Sequence, residues 1–514
     1  MTQNIEQPKD IKRLLGRIKK SKAEAVAQAA PRFTVSAKIW CEIGENLGKG
    51  LDLLALWADH KQVHMALFDV ATGDFLIASH TLKAGKFPSI GQYHAAALRA
   101  ERMIRDLYGI RPEGLPDDRA WLDHGKWPKT QPLALKPGVK KDQPEYRFLG
   151  ATGEGIHQMA VGPVHAGIIE PGHFRFFLSG ETVVRLELRQ GYTHKGIEKL
   201  LEGKTPDQAA PICARVSGDS TVAYSLAFAR ATEAALQMDV PERAHWLRAL
   251  MAELERLANH FGDIGAICND AGFAYINAHF GIMREDVLQA AKLCFGHRLT
   301  MDRIIPGGVT GDLDGPGTDV LETLLAGLRD RMPQLVEIYD DTPSLQDRVR
   351  NTGYLKPALA NSFAAGGFIG RASGRNFDAR RNLNYKPYDM LTFETPVLQE
   401  GDVNARVWLR IDEVEQSLSL CEQILRMMPH GDIYADLPKN TGTVTEGVAV
   451  VEGFRGDILV WLRLAENGKI ERCYPRDPSQ FQWPLMEAVI ENNIVADFPL
   501  CNKSFNCSYS GVDL

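Results

Sequence analysis

Between residues 221 and 428 the chain repeats apolar residues at helical intervals in stretch after stretch, and no other feature limits its fold as tightly. In ERAHWLRALMAELERLANHFGDIGAI, which follows Pro241, residues Leu247, Leu250, Leu254, Leu257 and Phe261 form one stripe. Proline suits a helix start because its missing N–H would have no partner there. TVAYSLAFARATEAALQMD precedes this segment, and EDVLQAAKLCFGHRL and DVLETLLAGLRDRMPQLVEIYDD follow it. VNARVWLRIDEVEQSLSLCEQILRMM at 403–428 closes the set before Pro429 and Gly431. Helices of about 18–28 residues are roughly 30–40 Å long at 1.5 Å per residue, and each buries a face that other helices must cover. The expectation is an elongated bundle.

Strand-like segments flank the bundle. VHMALFDV (63–70) and FLIASHTL (75–82) read as a hairpin closed by Ala71, Thr72, Gly73 and Asp74. A helix pattern over AAALRAERMIRDLYG follows, with Gly109 as its stop. LDHGKWPKTQPLALKPGVKKDQPE (122–145) holds four prolines, two glycines and five lysines, the composition of a linker. FRFFLSGETVVRLELRQGY reads as two antiparallel strands turning at Gly180 and Glu181, and VTEGVAVVEGFRGDILVWLRLAENGKIERCYPR as further strands turning at Asn467–Gly468. The fold class is therefore α+β. A small α/β domain is expected over 1–130, a linker over 131–150, and a mainly helical bundle with short antiparallel sheets over 151–514.

Several function classes drop out on composition. Fifty-nine Lys and Arg against 65 Asp and Glu leave a formal charge of -6, which gives no support to a nucleic-acid partner. Eight cysteines, none in a CxxC, suggest neither a disulfide framework nor a closely spaced cluster site, and fit a reducing compartment. No run of apolar residues is long enough to span a bilayer. The basic start lacks a signal-peptide core. It reads as a short helix with Leu14, Leu15 and Ile18 on one face, either a solvated end, a partner contact or a weak contact with an anionic surface.

The residues that carry chemistry leave alternatives open. His157, His165 and His173 lie within seventeen residues beside Glu154 and Glu170, but intervals of eight fit no compact metal-ligand pattern on one element. HFRF at 173–176 reads equally as a strand pair. Glu253, Arg256 and His260 share a helix face, as a buried ion network or a proton path. RVSGDS (215–220) offers either amides for an anion or a helix cap from Ser217 or Ser220. EGFRGD (452–457) is a turn presenting Arg455. Cys501 and Cys507 are a redox pair if the thiols meet and small core residues otherwise.

Taken in order, ERMIRDLYGIRPEG, DDRAWLDHGKWP, GPVHAGIIEPGHFRF, GYTHKGIEKL, ARVSGDSTVAYSLAFA, HWLRALMAELERLANHFGDIGAI, GRNFDAR, GDVNARVWLRIDEVEQSLSLCEQIL and VEGFRGD span nearly the whole chain. This ordered set resembles the large-subunit family shared by nickel–iron hydrogenases and the 49 kDa subunit of respiratory complex I, preceded by a 30 kDa-type domain. The form it is most similar to is the fused large subunit of formate hydrogenlyase-type, energy-converting complexes. Hydrogenase members hold nickel and iron with two CxxC pairs, since soft anionic sulfur suits both metals. In this sequence the matching positions are Ser217, Ser220, Ser508 and Gly511, so the resemblance implies no metal in this chain and no nickel-dependent hydrogenase activity. It also implies no C-terminal processing extension beyond Leu514.

What the resemblance does imply is a metal-free, hydrogenase-like and NADH dehydrogenase-like subunit of a membrane-associated redox complex. The complex I branch binds a quinone headgroup through a histidine and a tyrosine. Here Glu170 or Pro171 falls near the former position and Gly218 near the latter, while His165 matches a different family histidine. Catalytic candidates are thus Glu170, Arg215, Asp219, Arg455 and Asp513, with His165, Ser217, Ser220 and Ser508 lining the old cofactor position. Expected partners are a small subunit carrying a [4Fe–4S] cluster, antiporter-like and other membrane subunits, and a ferredoxin-like electron-transfer subunit. The chain is expected to lie peripherally on the cytoplasmic side of the cell membrane. It either passes electrons to a quinone or another small acceptor with ion translocation, or serves as a structural and coupling subunit.

Overall fold

The computed structural model describes residues 9–24, 30–140, 144–438 and 441–514. Its first unit contains helices α1 (Lys9–Lys19), α2 (Ala37–Asn46) and α3 (Ala97–Tyr108), and strands β1 (Lys22–Ala23), β2 (Arg32–Thr34), β3 (Leu51–Ala58), β4 (Gln62–Asp69) and β5 (Phe75–Thr81). The strands order as β1-β2-β5-β4-β3, with only β2–β5 parallel. The expected hairpin is β4–β5, paired from Gln62↔Thr81 to Phe68↔Phe75. Strand β3 gave no alternating signal because it is buried along its whole length. A strand covered on both faces reads as a continuous apolar run.

One expectation changes here. The face of α1 that carries Ile11, Leu14, Leu15 and Ile18 is buried within the chain and packs toward α2, so it is neither a solvated end nor a surface anchor. Residues 1–8 of that basic start lie outside the described residues. The proline-rich tract, of which residues 141–143 lie outside the described residues, is anchored near its start and is mostly exposed from 134 to 140. Trp121, Leu122 and Leu133 are buried. Asp106 accepts the amides of Trp121 and Leu122 at 2.6 and 2.9 Å, and the guanidiniums of Arg99 and Arg102 lie 4.7 and 4.8 Å from the Trp121 ring.

In the second unit, β6 (Ile156–Val161), β7 (His173–Ser179) and β8 (Thr182–Arg189) form three antiparallel strands where two were expected. IHQMAV of β6 is exposed or half-buried throughout, so it lacks the apolar run that marks a strand in sequence. Strands β9 (Thr445–Gly453), β10 (Gly456–Leu464) and β11 (Ile470–Arg476) make the second sheet. Helix α4 (Thr221–Leu236) lies on it so closely that a Cβ at Gly447 would sit 1.9 Å from the Ala231 carbonyl oxygen. Only glycine permits that approach.

The bundle is α5 (Glu242–Asp270), α6 (Ala274–Phe295), α7 (Gly315–Asp340) and α8 (Val403–Met427). Helix α5 packs on α6 and α8, and α7 closes the far side against the same two. Leu247, Leu250, Leu254, Leu257 and Phe261 are all buried, as their spacing predicts. Helix α6 begins eleven residues before the pattern at 285, where Ile276, Phe280 and Met283 already mark its buried face.

Glu253, Arg256 and His260 point from α5 into a buried ion network. Glu253 receives Arg380 at 2.9 Å, Tyr388 at 2.6 Å and Ser417 at 2.7 Å. His260 Nε2 lies 2.8 Å from Glu413, which also takes Arg371, and Arg371 reaches Glu452 at 2.9 Å. Burial drives the His260 imidazole below its ordinary range, whereas the surrounding cations overcome burial at Glu413 and hold its carboxyl well below the usual range. Each charge depends on its neighbours. Glu413→Ala should therefore cost roughly 3–5 kcal/mol, the usual loss when a buried ion is left without its partner. Urea denaturation of the variant, compared with Glu413→Gln, checks this.

Candidate functional site

Three segments meet at the foot of α4: the turn 217–220, the β9–β10 turn that presents Arg455, and the C-terminal stretch from 504 to 514. Their meeting follows from local folding. Gly453 and Gly456 let the chain reverse around Phe454 and Arg455, pairing with each other at the hairpin end. Arg455 then lies against the Phe454 ring at 4.4 Å and points at Asp219. Its Nη1 donates to Asp219 Oδ1 at 2.7 Å and to Ser220 Oγ at 3.3 Å, and its Nε donates to the Asn506 carbonyl. Crowding by protein pushes the Asp219 carboxyl up, but the charge and hydrogen bonds of Arg455 pull harder and hold it below the ordinary range.

The hydroxyls form a second layer. Ser217 Oγ and Ser508 Oγ are in direct contact at 2.9 Å, and Ser217 Oγ also donates to Asp219 Oδ1 at 2.9 Å. Ser508 Oγ accepts the Gly511 amide at 2.9 Å. A Cβ on Gly511 would lie 2.4 Å from Asp477 Oδ2, the oxygen that takes the Tyr224 hydroxyl at 2.6 Å. Ser217, Ser220 and Ser508 are buried. The position is filled by neutral oxygens, one ion pair and backbone, with the Asp219 side chain partly open to a neighbouring cavity.

Such a donor set does not fit nickel or iron. Serine hydroxyls are hard, neutral and reluctant to ionise, and glycine contributes no ligand atom. Among the described residues no group of three or more His, Cys, Asp or Glu is placed to hold a metal ion. The histidine trio does not converge. His157 pairs with Leu178 at one end of the sheet and His173 with Arg189 at the other, while His165 Nε2 sits 2.7 Å from the Gly172 carbonyl. Cys501 and Cys507 are free and buried, and burial drives the Cys501 thiol up to about 12.

The candidate residues divide. Asp219, Arg455, Ser217, Ser220 and Ser508 come together. Arg215 does not: it forms a bidentate pair with Asp302 at 2.7 and 2.6 Å on an exposed surface. The contacts of Arg215 thus lie away from the Asp219–Arg455 pair. Glu170 reaches only the rim, where it accepts the Ser510 amide at 3.1 Å. His165 stands one layer out, in the 162–172 loop that folds over Tyr509. Asp513 accepts from Gly191, Thr193 N and Thr193 Oγ1 at 2.7–2.9 Å and so ties the GYTHKG segment to the C-terminal turn. Burial pushes its carboxyl up to about 6 despite those bonds.

Some partners escaped sequence reasoning. Neither Ser217 nor Ser220 caps α4 with its side chain. Glu255 of α5 does so from outside, accepting the Val222 and Ala223 amides at 2.7 and 3.1 Å. Lys195 holds the 215 and 216 carbonyls at 2.8 Å. Asp263 receives Asn506 at 2.8 Å and Arg410 at 3.2 Å. The ELER spacing in α5 was the available signal for Glu255, but nothing local says which helix start it faces.

Fold and site together define a large subunit of the hydrogenase and complex I type whose bimetal position is built from hydroxyls. Family models agree. Residues 35–141 match the respiratory-chain NADH dehydrogenase 30 kDa subunit, 195–262 nickel-dependent hydrogenase, and 270–444 the respiratory-chain NADH dehydrogenase 49 kDa subunit. Formate hydrogenlyase subunit 5 of Escherichia coli is 31% identical over 83% of this chain and 77% of its own length. An NADH-quinone oxidoreductase subunit of Dehalococcoides mccartyi is 31% identical over 69% of this chain and 97% of its own. A chain in the membrane-bound sulfane sulfur reductase, an archaeal respiratory membrane complex, superposes with a TM-score of 0.67 at 25% identity, covering 71% of this chain and all of that one. The chain belongs to this family of complex I- and hydrogenase-type large subunits, in the form fused behind a 30 kDa-type domain. It is an oxidoreductase-type subunit of a larger redox complex. Among the described residues no helix is long and apolar enough to cross a membrane.

The tight fit around Gly511 gives a test. Gly511→Ala should lower stability by about 1–3 kcal/mol through overpacking against Asp477. Thermal unfolding reads this directly. For the same reason Gly511→Cys combined with Ser217→Cys, Ser220→Cys and Ser508→Cys should bind no nickel and evolve no hydrogen, as elemental analysis and gas chromatography would show.

Proposed function

We propose that this chain is the coupling large subunit of a membrane-associated redox complex, converting a charge change at a partner's iron–sulfur cluster into a response of ion-moving membrane subunits. The observation that carries this reading is the closed contact of Ser217 with Ser508 beneath the Arg455–Asp219 pair. A buried guanidinium held by one carboxylate responds strongly to a nearby electron, because the protein interior screens charge poorly. The cluster, a [4Fe–4S] group, would belong to a small subunit, as the absence of any CxxC from this sequence accommodates. Antiporter-like subunits and a ferredoxin-like donor complete the assembly, with this chain peripheral on the cytoplasmic face.

A second reading, electron transfer to a quinone or another small acceptor, draws on a cavity of about 120 Å³ beside Gly218 and Asp219. Turnover with added quinones separates the two: a quinone-saturable rate that is independent of the membrane subunits supports the second.

Under the coupling reading, Arg455→Ala should abolish or strongly reduce coupled turnover while the partner's cluster still reduces normally by electron paramagnetic resonance. Unchanged ion movement in the intact variant complex would refute the role of the pair. Stoichiometric nickel in the purified complex would refute the metal-free premise.

A further inference from the structure

The cavity beside the site is bounded by Gly218 and Asp219 on one side, by Leu254, Glu255, Ala258 and Asn259 of α5 on another, and by α6 and the loop after it. At about 120 Å³ it has room for several waters, each of which needs on the order of 10–15 Å³ measured in this way. Its lining is apolar on the helix faces and polar where Glu255, Asp219 and Arg284 meet it. Glu255 is the unusual group. Its carboxylate accepts two backbone amides of α4, yet among the described residues no cation lies in hydrogen-bonding contact with it.

We propose that Glu255 is a proton-binding site supplied by water in this cavity, and that its proton sets how firmly α5 holds the first turn of α4. The proton comes from cavity water and returns to it; no electron moves. Ionised, the carboxylate offers both oxygens to Val222 and Ala223 as charge-assisted acceptors. Such bonds are about twice as strong as neutral ones. Protonated, one oxygen becomes a hydroxyl and the grip on one amide weakens. Because the turn 217–220 runs directly into α4, occupancy by a proton is transmitted to Asp219 and Ser217.

The charges around Glu255 work in both directions. Asp219, from the turn, disfavours a second negative charge, and Arg256, on α5 itself, favours it. Across the cavity stand Arg284 of α6 and Arg298 of the following loop, the latter engaged with Glu285 at 2.6 and 2.7 Å. Burial is the largest influence. With the push from Asp219 it outweighs the two amides and moves the carboxyl up to about 8. This goes beyond the coupling reading, since it holds in the isolated chain whatever the partner does.

The test is infrared titration of the full-length chain from about pH 6 to about pH 9.5, a range that leaves ordinary carboxyls ionised throughout. The expected result is a protonated-carboxyl band that disappears with a midpoint of about 8 and is missing in Glu255→Gln. Burial pushes the Glu198 carboxyl up to about 8 as well, so the Glu255 band is read as the difference between the native chain and Glu255→Gln. In parallel, hydrogen exchange of residues 221–223, corrected for intrinsic rates, should show about threefold or greater loss of protection on the acid side, the scale of one weakened hydrogen bond. A Glu255 carboxyl already ionised at the acid end overturns the proton site. Protection that does not follow the titration overturns its hold on α4. If Glu255→Gln does not fold, Ala291→Leu, which displaces cavity water from the α6 side, should raise the midpoint of both signals; an unmoved midpoint overturns the cavity's role.

Discussion

The guanidinium of Arg455 is buried, and a cation there has to be answered by a carboxylate. Asp219 answers it, and much of the site's geometry follows. To reach Asp219 the β9–β10 hairpin must turn tightly between two glycines, and the 217–220 segment must form a short turn leading straight into α4. The same arginine holds the Asn506 carbonyl, which fixes the C-terminal stretch that carries Ser508. One ion pair thus fastens three segments that lie far apart in sequence. A metal ion bound by four thiolates fastens segments in the same way, and here hydrogen bonds and one salt bridge do it.

That substitution shows how the fold can persist without a metal. A second charge network lies deep inside, where Glu253, Arg256, His260, Arg371, Arg380, Glu413 and Glu452 contact one another, and Arg256 also holds the Glu452 and Gly453 carbonyls of the β9–β10 hairpin. Arg410 connects the two regions, meeting Asp263 on one side and the Ser504 carbonyl on the other, with its guanidinium 3.7 Å from the Phe368 ring. A change of charge near Asp219 acts first on the turn 217–220, the start of α4 and the C-terminal segment, which lie against the Arg455–Asp219 pair.

Much of this was legible in the sequence. The Leu247–Phe261 stripe placed α5, the Ala71–Asp74 turn placed the β4–β5 hairpin, and EGFRGD placed Arg455 at a tip. Strand β3 was hidden because burial on both faces erases alternation, and β6 because exposure removes the apolar signal. For the site, the ordered motifs identified which hydroxyls belong together, since Ser217, Ser220 and Ser508 replace ligands that must converge. They misplaced Arg215, whose neighbour Asp302 lies in a loop that no local pattern connects to residue 215. Glu255 was lost for the same reason: spacing along a helix gives the face of a side chain but not the partner across the gap.

The two carboxyls nearest the turn have opposite protonation tendencies, and the difference is one of partners rather than of depth. Asp219 is held ionised by Arg455; Glu255, with only amides to accept and Asp219 close by, is pushed toward its neutral form. Pairs of acids driven apart in this way mark sites where protons are held and released. Arg455 directs its charge at Asp219, whereas Arg284 and Arg298 stand across the cavity from Glu255 without a hydrogen bond to it among the described residues.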